Sequence, residues 1–356
     1  MVIIHIAHID TSIIGGVQMA VPQMVMAQSH FADVALLNTF GDPIQGVRML
    51  PYNGQFDAKL YPAPFHKPDI VIFHEVYRFE FIKLYQMVKA NAIPYVVIPH
   101  GCLTENAQRR KFLKKATANL IFFNRFLREA TAIQFLSENE RQMSGKWGKA
   151  AFVAGNGIAM PEKRKSVFFA EGIRIAYIGR LEIRTKGLDL LVEAVENCQD
   201  MMRKHKVRVD IYGPNDGDVH AVLRQMIERK QLSDLIAVSG AKMGKEKEAI
   251  LLSSDCFIQP SRTEGLPMGP LEALAYGLPC IVTAGTGLGA LVEKYHAGYS
   301  CDTSSDGISG AIVKLIQERG KAEELSLGAV KLIESNFDRE TIGKATVGKY
   351  GQIAKS

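Results

Sequence analysis

The chain has 356 residues, of which 47% are hydrophobic and 22% are charged, an ordinary globular composition. Its length exceeds what one hydrophobic core normally supports and therefore predicts two domains. No run of about 18 apolar residues occurs, so no transmembrane helix is predicted. The net charge is +6, and residues 106–128 hold seven Lys or Arg and no acid, so the basic charge is concentrated in one segment.

The N-terminal segment MVIIHIAHIDTS predicts a first buried strand. It lacks a basic leading region and a small-residue cleavage site, so a signal peptide is not predicted. The five cysteines are scattered and without close pairs, which argues against a disulfide framework and against a zinc site. These features together predict a cytoplasmic protein.

In the first half, short apolar runs alternate with helical patterns. Strands are predicted for VIIHIAHI, DVALLNT, DIVIFHE and YVVIPHG, and a helix for GVQMAVPQMVMAQSH after a Gly-Gly turn. The strands are β-branched and lack strict alternation, as expected for parallel strands buried on both faces. Polar residues lie at their C-terminal ends, where open α/β sheets bind ligands.

The pattern relaxes over residues 155–172, where Gly, Pro and a basic cluster predict a linker, and then restarts. Five further strands are predicted for IRIAYIGR, VRVDIYG, IAVSG, DCFIQPS and PCIVTA, with helices between them. The fold class is therefore α/β, with two doubly wound, Rossmann-like units.

The predicted domains are an N-terminal acceptor-binding domain over 1–162 and a C-terminal nucleotide-sugar-binding domain over 163–338. A closing helix over 339–356 is expected to pack back on the first domain. Two such domains joined by one linker predict a cleft that closes by hinge motion to exclude water.

Two glutamates, Glu264 and Glu272, lie eight positions apart in PSRTEGLPMGPLEALAYGLPC. Gly and Pro predict a loop before Pro270, which is favoured at the first position of a helix ending at Gly277. Glu264 is then in a loop and Glu272 in the first helical turn. Helix-start N–H groups suit a diphosphate, and carboxylates suit sugar hydroxyls. The alternative is that Glu272 only complements the helix dipole.

Two cations, Arg180 and Lys186, lie in YIGRLEIRTKGLDLL at a predicted strand-to-helix turn. Arg can bind a diphosphate bidentately and Lys as a point charge. The alternative is a solvated basic loop.

At these residues the chain resembles glycosyltransferase family 4, which has the GT-B fold. The E-x7-E spacing of Glu264 and Glu272 matches the family motif, and so do Arg180 and Lys186. Looser similarity is carried by four further segments: GNGIAM, IYGPNDGDVHAVLRQMIERKQLSDLIAVSG, the pair Gly15–Gly16, and VVIPHGCLTENAQRRKFLKKATANLIFFNRFLREATAIQFLSENE. The last is similar to the His-Gly and basic-helix segment of bacterial surface-polysaccharide transferases.

The resemblance implies the site residues. Those implied in catalysis are Arg180, Lys186, Glu264 and His100, with the two cations stabilising the leaving diphosphate and Glu264 holding the donor sugar. Those implied in donor binding are Gly15, Gly16, Gly213, Met243, Gly265, Leu266 and Glu272. The acceptor candidates are His74, Glu75 and Glu105.

The implied reaction moves a hexose or N-acetylhexosamine from a UDP- or GDP-sugar to a glycan acceptor carried on a polyprenyl diphosphate, with retention. The leaving phosphate helps to deprotonate the acceptor, so no general base is assigned and no cofactor or metal is expected. The Asp-Gly-Asp run at 216–218 spells a metal motif of another glycosyltransferase fold, but its turn context favours a surface loop.

The basic segment 106–128 has its own interpretation. Phe112, Ala116, Leu120, Phe123 and Leu127 recur at helical spacing and predict a stripe packed on the core. The basic face fits peripheral binding to an anionic membrane, at the inner face of the plasma membrane. Nucleic acid is not predicted, because no known nucleic-acid motif and no interleaved exposed aromatics occur.

Two alternatives remain open from the sequence. One is a nucleotide-sugar epimerase of similar build, which Arg180, Lys186 and Glu272 alone do not exclude. The other is a non-catalytic sugar-nucleotide-binding subunit of a transferase complex; the intact donor site argues against it, and it would not slowly release nucleotide diphosphate.

Overall fold

The computed structural model describes residues 1–12, 15–109, 112–145, 147, 150–169 and 171–355. It forms two compact units, the first comprising Met1–Gly157 with Arg339–Ser356 and the second Ile158–Asp338. The predicted boundary lay later, at 162/163. The Ile158 N–H donates to the Phe337 carbonyl over 2.7 Å, which ties the start of the predicted linker to the second unit.

The first unit is a six-stranded parallel sheet with the order β2-β1-β3-β4-β5-β6. Its elements up to the second unit are β1 (Val2–Ala7), α1 (Gly16–Gln28), β2 (Asp33–Asn38), β3 (Ile70–His74), α2 (Phe79–Ala90), β4 (Tyr95–Ile98), α3 (Glu105–Arg109), α4 (Phe112–Ala118), a π-helical segment (Asn119–Phe123), α5 (Asn124–Glu129), β5 (Ala132–Phe135), α6 (Glu138–Met143) and β6 (Ala151–Val153).

The second unit is also a six-stranded parallel sheet, with the order β12-β11-β10-β7-β8-β9. Its elements are β7 (Ile173–Ile178), α7 (Leu188–Asn197), α8 (Gln199–Lys204), β8 (Val207–Tyr212), α9 (Val219–Arg229), β9 (Ile236–Ser239), α10 (Gly244–Ser253), β10 (Cys256–Gln259), α11 (Met268–Ala275), β11 (Cys280–Thr283), α12 (Gly289–Lys294), β12 (Gly298–Cys301), α13 (Ser305–Gln317) and α14 (Ala322–Asn336). The chain then returns to the first unit as α15 (Arg339–Ala354), which packs on α1.

Each unit has its own hydrophobic core. Val71 and Val97 of the first sheet and Ile175 and Val209 of the second have no exposed surface. The prediction of parallel strands buried on both faces, in two doubly wound units, is confirmed. Over the described ranges, no helix is long and apolar enough to cross a membrane.

Strand order reverses at one place in each sheet. In the first unit the reversal lies between β1 and β3, and in the second between β7 and β10. The loops after such neighbouring strands run in opposite directions and leave a crevice at the carboxyl edge of the sheet. The order of the strands in each sheet therefore indicates where each unit can bind a ligand.

The predicted apolar stripe over 112–127 is wrong in its first half. Phe123 and Leu127 are buried, but Phe112 is 62% exposed and Leu120 79%, and Ala116 is exposed as well. The π-helical segment has more residues per turn than an α-helix, so residues before it rotate away from the face that α5 buries. The interior therefore receives only the second half of the stripe.

Candidate active site

The crevice of the second unit is bordered by the loops after β7 and β10. Arg180 follows β7 and is exposed, and within the described residues its guanidinium forms no hydrogen bond or ion pair. Lys186 lies at the end of the same loop, just before α7. Two cations thus border the place where a ligand of this sheet is expected.

Lys186 forms an ion pair with Glu264 from the β10 loop. Their Nζ and Oε1 atoms are 2.7 Å apart, and the side chains are only 14% and 11% exposed. The same Oε1 accepts from the Ser261 hydroxyl at 2.7 Å and the Gln259 amide at 3.2 Å. These bonds fix the carboxylate of Glu264 at the crevice.

Hydrogen bonds from Arg262 also hold this region together. Arg262 donates two hydrogen bonds to the carboxylate of Asp189, at 2.6 and 3.0 Å, and its N–H donates to the Thr185 carbonyl at 2.9 Å. Gly187 has a φ of +66°, and a Cβ there would lie 1.9 Å from the Pro260 carbonyl oxygen. Only glycine fits this approach, so the position of Lys186 depends on its neighbour.

Glu272 is held by a different lysine. It forms an ion pair with Lys247 of α10, with side-chain exposures of 16% and 23%. The helix α11 begins at Met268 rather than at Pro270, so the prediction that Glu272 lies in the first turn is wrong. Pro267 caps the helix in an extended conformation, and this allows it to start earlier than Pro270 suggested. The helix does end before Gly277, which has a φ of +77°.

The other predicted donor residues surround the same carboxyl edge. Gly213 follows β8, and a Cβ there would lie 2.2 Å from the Gly179 carbonyl oxygen, so glycine is required by packing as well. Met243 precedes α10 and is 50% exposed. Gly265 and Leu266 are partly exposed in the loop after Glu264.

In the first unit, His100 ends a row of three histidines. His5 Nδ1 lies 2.8 Å from His74 Nε2, and His74 Nδ1 lies 2.9 Å from His100 Nε2. His5 also contacts Gln28 Oε1 through Nε2, at 2.9 Å. Burial lowers the pKa of His5 and of His100 to about 4, and with its two imidazole neighbours holds that of His74 well below its usual value.

The acceptor candidates are placed differently from one another. His74 is fully buried with both ring nitrogens engaged, so it has no surface with which to contact an acceptor; it instead supports His100. Glu75 is partly exposed, with a φ of +74°, and forms an ion pair with Arg78 at 3.1 Å. Glu105 is exposed at the start of α3.

The glycine pair lies at the start of α1, beside the strand reversal of the first sheet. The structure places Gly15 at the N-cap of α1 and Gly16 at its first position. A Cβ on Gly16 would meet no atom within 4 Å. The fold itself therefore does not require glycine at 16, which leaves open space for a ligand. Ile13 and Ile14 lie outside the described residues.

Sequence reasoning missed Glu140, which binds the backbone directly after His100. Its carboxylate is fully buried and accepts the backbone N–H groups of Gly101 and Leu136. Its own N–H donates to the Ser137 hydroxyl, which caps α6. Burial raises the pKa of Glu140, whereas the two backbone bonds oppose that rise. A Ser-x-x-Glu capping pattern at 137–140 was the available sequence signal.

The charged residues of the described ranges include no group of three or more His, Cys, Asp or Glu suited to a metal ion. Asp216 and Asp218 are exposed in a turn before α9. Their placement agrees with the surface-loop interpretation.

Comparison with known proteins finds a family match over part of the chain. Residues 160–331 match the model of "Glycosyl transferases group 1". The putative teichuronic acid biosynthesis glycosyltransferase TuaC of Bacillus subtilis is 28% identical over 203 residues, which are 57% of this chain and 48% of TuaC. The putative colanic acid biosynthesis glycosyltransferase WcaL of Escherichia coli is 32% identical over 136 residues, 36% of this chain and 32% of WcaL. The chain thus matches about half or less of the length of these relatives.

Solved structures match nearly the whole chain. Anabaena HepE, in complex with UDP and glucose, has a TM-score of 0.76 and 18% identity, covering 99% of this chain and 100% of HepE. Sucrose-phosphate synthase from Thermosynechococcus elongatus has a TM-score of 0.75 and 17% identity, with the same coverage. Likeness at this identity concerns the fold. Residues 160–331 therefore match the family model of the glycosyl transferases group 1, within a chain that has the GT-B fold.

Proposed function

We propose that the chain transfers a hexose or N-acetylhexosamine from a UDP- or GDP-sugar to a glycan carried on a polyprenyl diphosphate, with retention and without a metal. The observation that carries the proposal is the ion pair of Lys186 and Glu264 at the crevice of the matched unit, beside the exposed Arg180. It brings a phosphate-binding cation and a sugar-binding carboxylate within 2.7 Å of each other.

The two cations suit a leaving diphosphate. Arg180 has no competing partner in the described residues, and its planar guanidinium can bind two phosphate oxygens at once. The ammonium of Lys186 has three N–H donors, of which Glu264 uses one. Positive charge fixed beside the breaking bond stabilises the charge that develops in the transition state.

The carboxylates suit hydroxyl groups on either side of that diphosphate. Glu264 would accept from the donor sugar, because each oxygen of a carboxylate can accept more than one hydrogen bond. Glu272 would accept from the ribose, competing with Lys247. Gly213, Met243, Gly265 and Leu266 would line the nucleotide and phosphate, with Gly15 and Gly16 allowing close backbone approach. His100 would contact a hydroxyl of the donor sugar.

The acceptor proposal rests on the relatives and on the surface of the first unit. TuaC and WcaL are named for teichuronic acid and colanic acid biosynthesis. Glu75 and Glu105 are the charged side chains that we propose for acceptor contact. A carrier lipid would bring the acceptor to a membrane, and the enzyme to its inner face.

The first unit has a surface suited to membrane binding. Its large apolar side chains are 39% to 79% exposed: Phe79, Phe112, Leu113, Leu120, Ile121 and Phe122. Exposed cations adjoin them in the same segment, namely Arg109, Lys114, Arg125 and Arg128. Apolar side chains that insert and cations that meet anionic headgroups are the two requirements for peripheral binding.

A direct test incubates the protein with UDP- and GDP-sugars, with and without a polyprenyl-diphosphate-linked glycan. We expect slow release of nucleotide diphosphate alone and rapid transfer with the acceptor, the product retaining the donor's anomeric configuration by NMR. Thermal shifts with UDP, GDP and ADP identify the base, because a ligand at 100 times its Kd stabilises by about 2.7 kcal/mol. Binding without any release would indicate the subunit function, and an epimerised sugar the epimerase.

A further inference from the structure

The hydrogen bonds along the row of His5, His74 and His100 in the first unit can run in either of two directions, depending on which ring nitrogens carry protons. A neutral imidazole carries one N–H donor and one lone-pair acceptor. Three neutral rings in series must therefore all carry the proton on Nε2 or all on Nδ1. Burial lowers the pKa of each ring, so all three are neutral near pH 7.

The end of the row at Gln28 sets that direction. If Gln28 presents its oxygen, His5 must donate from Nε2, His74 must donate from Nε2 to His5, and His100 must donate from Nε2 to His74. If Gln28 presented its nitrogen, every ring would be reversed. The orientation of one buried amide thus decides which nitrogen of His100 is left as an acceptor.

A second set of hydrogen bonds fixes that amide. The Gln134 nitrogen donates to the Ala154 carbonyl at 2.9 Å, so its oxygen must accept, and Tyr350 of α15 donates to it at 2.6 Å. With its proton engaged, the Tyr350 oxygen offers only lone pairs to Gln28.

The side-chain amide of Gln28 is therefore more stable with its nitrogen facing the Tyr350 oxygen. Burial raises the pKa of Tyr350, and a hydrogen bond from Gln28 opposes that rise. In the described residues the Gln28 nitrogen is buried and forms no hydrogen bond within normal geometry, so the nearby Tyr350 oxygen, which can only accept, is the group that favours this orientation of the amide. Its oxygen is then the atom that faces His5, as observed.

We propose that Gln134, Tyr350, Gln28, His5 and His74 act as positioning residues that hold His100 in the Nε2–H tautomer. His100 is the partly exposed end of the row, so its Nδ1 lone pair is left to accept a hydrogen bond. Such a nitrogen accepts from a hydroxyl and cannot donate to a phosphate oxygen. Only this last preference rests on the proposed function; the tautomer itself does not.

The test is a two-dimensional NMR experiment that correlates ring nitrogens with ring carbon-bound protons in the full chain labelled with 15N-histidine. A His100→Ala variant assigns the signals of His100. We expect a neutral His100 with pyrrole-type Nε2 and pyridine-type Nδ1 at pH 7. A charged ring, an Nδ1–H form, or an even mixture in the unmodified protein overturns the proposal.

Two variants test whether the orientation of the Gln28 amide sets the tautomers of the three histidines. Tyr350→Phe keeps the ring in its buried place and removes the hydroxyl, so Gln28 can turn and both tautomers of His100 should become populated. Gln28→Met removes the amide and should have the same effect. Gln86→Leu, at an exposed glutamine of α2, is the control and should leave the spectrum of His100 unchanged.

The proposal can be tested even if one variant is unstable. If Gln28→Met fails to fold, the unmodified protein and Tyr350→Phe still decide. A single Nε2–H form that persists in every folded variant would mean that the row does not set the tautomer. Failure to detect sugar transfer would count against the proposed function and would leave the tautomer result as it stands.

Discussion

At the level of single residues, the two cations of the crevice differ in their exposure and in their ion pairs. Lys186 neutralises a carboxylate that is 11% exposed, whereas Arg180 is exposed. We expect Lys186→Met to lower the free energy of unfolding by about 3 kcal/mol, because it removes a paired positive charge from a largely buried carboxylate. Arg180→Met should change it by less than about 0.5 kcal/mol. Urea denaturation measures both.

Turnover separates this stability effect from function. Both variants should lower it about 100-fold, through loss of leaving-group stabilisation. The double variant Lys186→Met/Glu264→Gln should regain most of the stability and none of the turnover. Equal stability of the two single variants would contradict a largely buried ion pair.

The two glutamates should also separate by the part of the donor that each binds. Glu272→Ala should weaken binding of bare UDP or GDP by about 1–3 kcal/mol, the scale of a charged hydrogen bond. Glu264→Ala should leave that affinity nearly unchanged while turnover with the full donor falls steeply. Calorimetry and rate measurements give the two quantities.

Lys247 supplies the control that the sequence did not reveal. Lys247→Met breaks the ion pair with Glu272 but keeps the carboxylate. It should preserve or strengthen nucleotide binding if the carboxylate itself contacts the ribose. A loss equal to that of Glu272→Ala would mean that the pair acts only to join α10 and α11.

At the scale of elements, the approach of the β10 loop to the start of α7 depends on one glycine. Gly187→Ala introduces a Cβ that would meet the Pro260 carbonyl at 1.9 Å, so the two loops must move apart. Gly217→Ala is the matched control, since its φ of +65° is nearly the same and no atom lies within 4 Å. We expect the control to lose about 1 kcal/mol from backbone strain alone.

The Gly187 variant should lose more than twice the stability of this control and most of its turnover, measured by thermal unfolding and by rate. Lys186 and Glu264 lie on the two separated loops, so their ion pair would be disturbed. Similar losses in both variants would show that backbone conformation, and not the close approach, is the constraint.

The π-helical segment between α4 and α5 gives the membrane proposal its test. Leu113, which precedes the segment, and Leu120, which lies within it, are each 79% exposed. Leu113→Ser/Leu120→Ser should reduce binding to vesicles containing phosphatidylglycerol by about ten-fold or more, since less apolar surface is inserted. Co-sedimentation measures the bound fraction.

Leu327→Ser, at a leucine of α14 that is 73% exposed, is the control and should bind as the unmodified protein does. Binding should also weaken in high salt and with vesicles of phosphatidylcholine alone. Undiminished binding of the double variant would rule out this surface as the membrane contact.

At the scale of the whole molecule, the sequence predicted what local pattern determines. Unbroken apolar runs such as VIIHIAHI predict buried parallel strands, and polar residues after them mark the carboxyl edge. The pair Glu264 and Glu272 was visible because the spacing lies within one loop and helix. Local patterns of this kind were enough for the fold class and for the position of the candidate donor site.

Contacts between distant parts of the chain could not be predicted. His5, His74 and His100 meet only because β1, β3 and β4 are neighbours in the sheet. Lys247 reaches Glu272 from another helix, and Tyr350 reaches Gln134 from the end of the chain. The exposed first half of the 112–127 stripe was missed because a π-helical turn leaves no mark in residue spacing.

Sugar transfer requires that the negative charge of the leaving nucleotide diphosphate be neutralised. A leaving nucleotide diphosphate gains negative charge, which many sites neutralise with a divalent ion and which the proposed function assigns to Arg180 and Lys186. We therefore expect sugar transfer to continue in excess EDTA at a rate close to that with Mg²⁺. Arg180→Met should remain about 100-fold slower in both conditions, because an added ion cannot replace a fixed guanidinium at that position. Loss of transfer in EDTA, restored by Mn²⁺ or Mg²⁺, would show that a metal ion and not this pair of cations stabilises the leaving group.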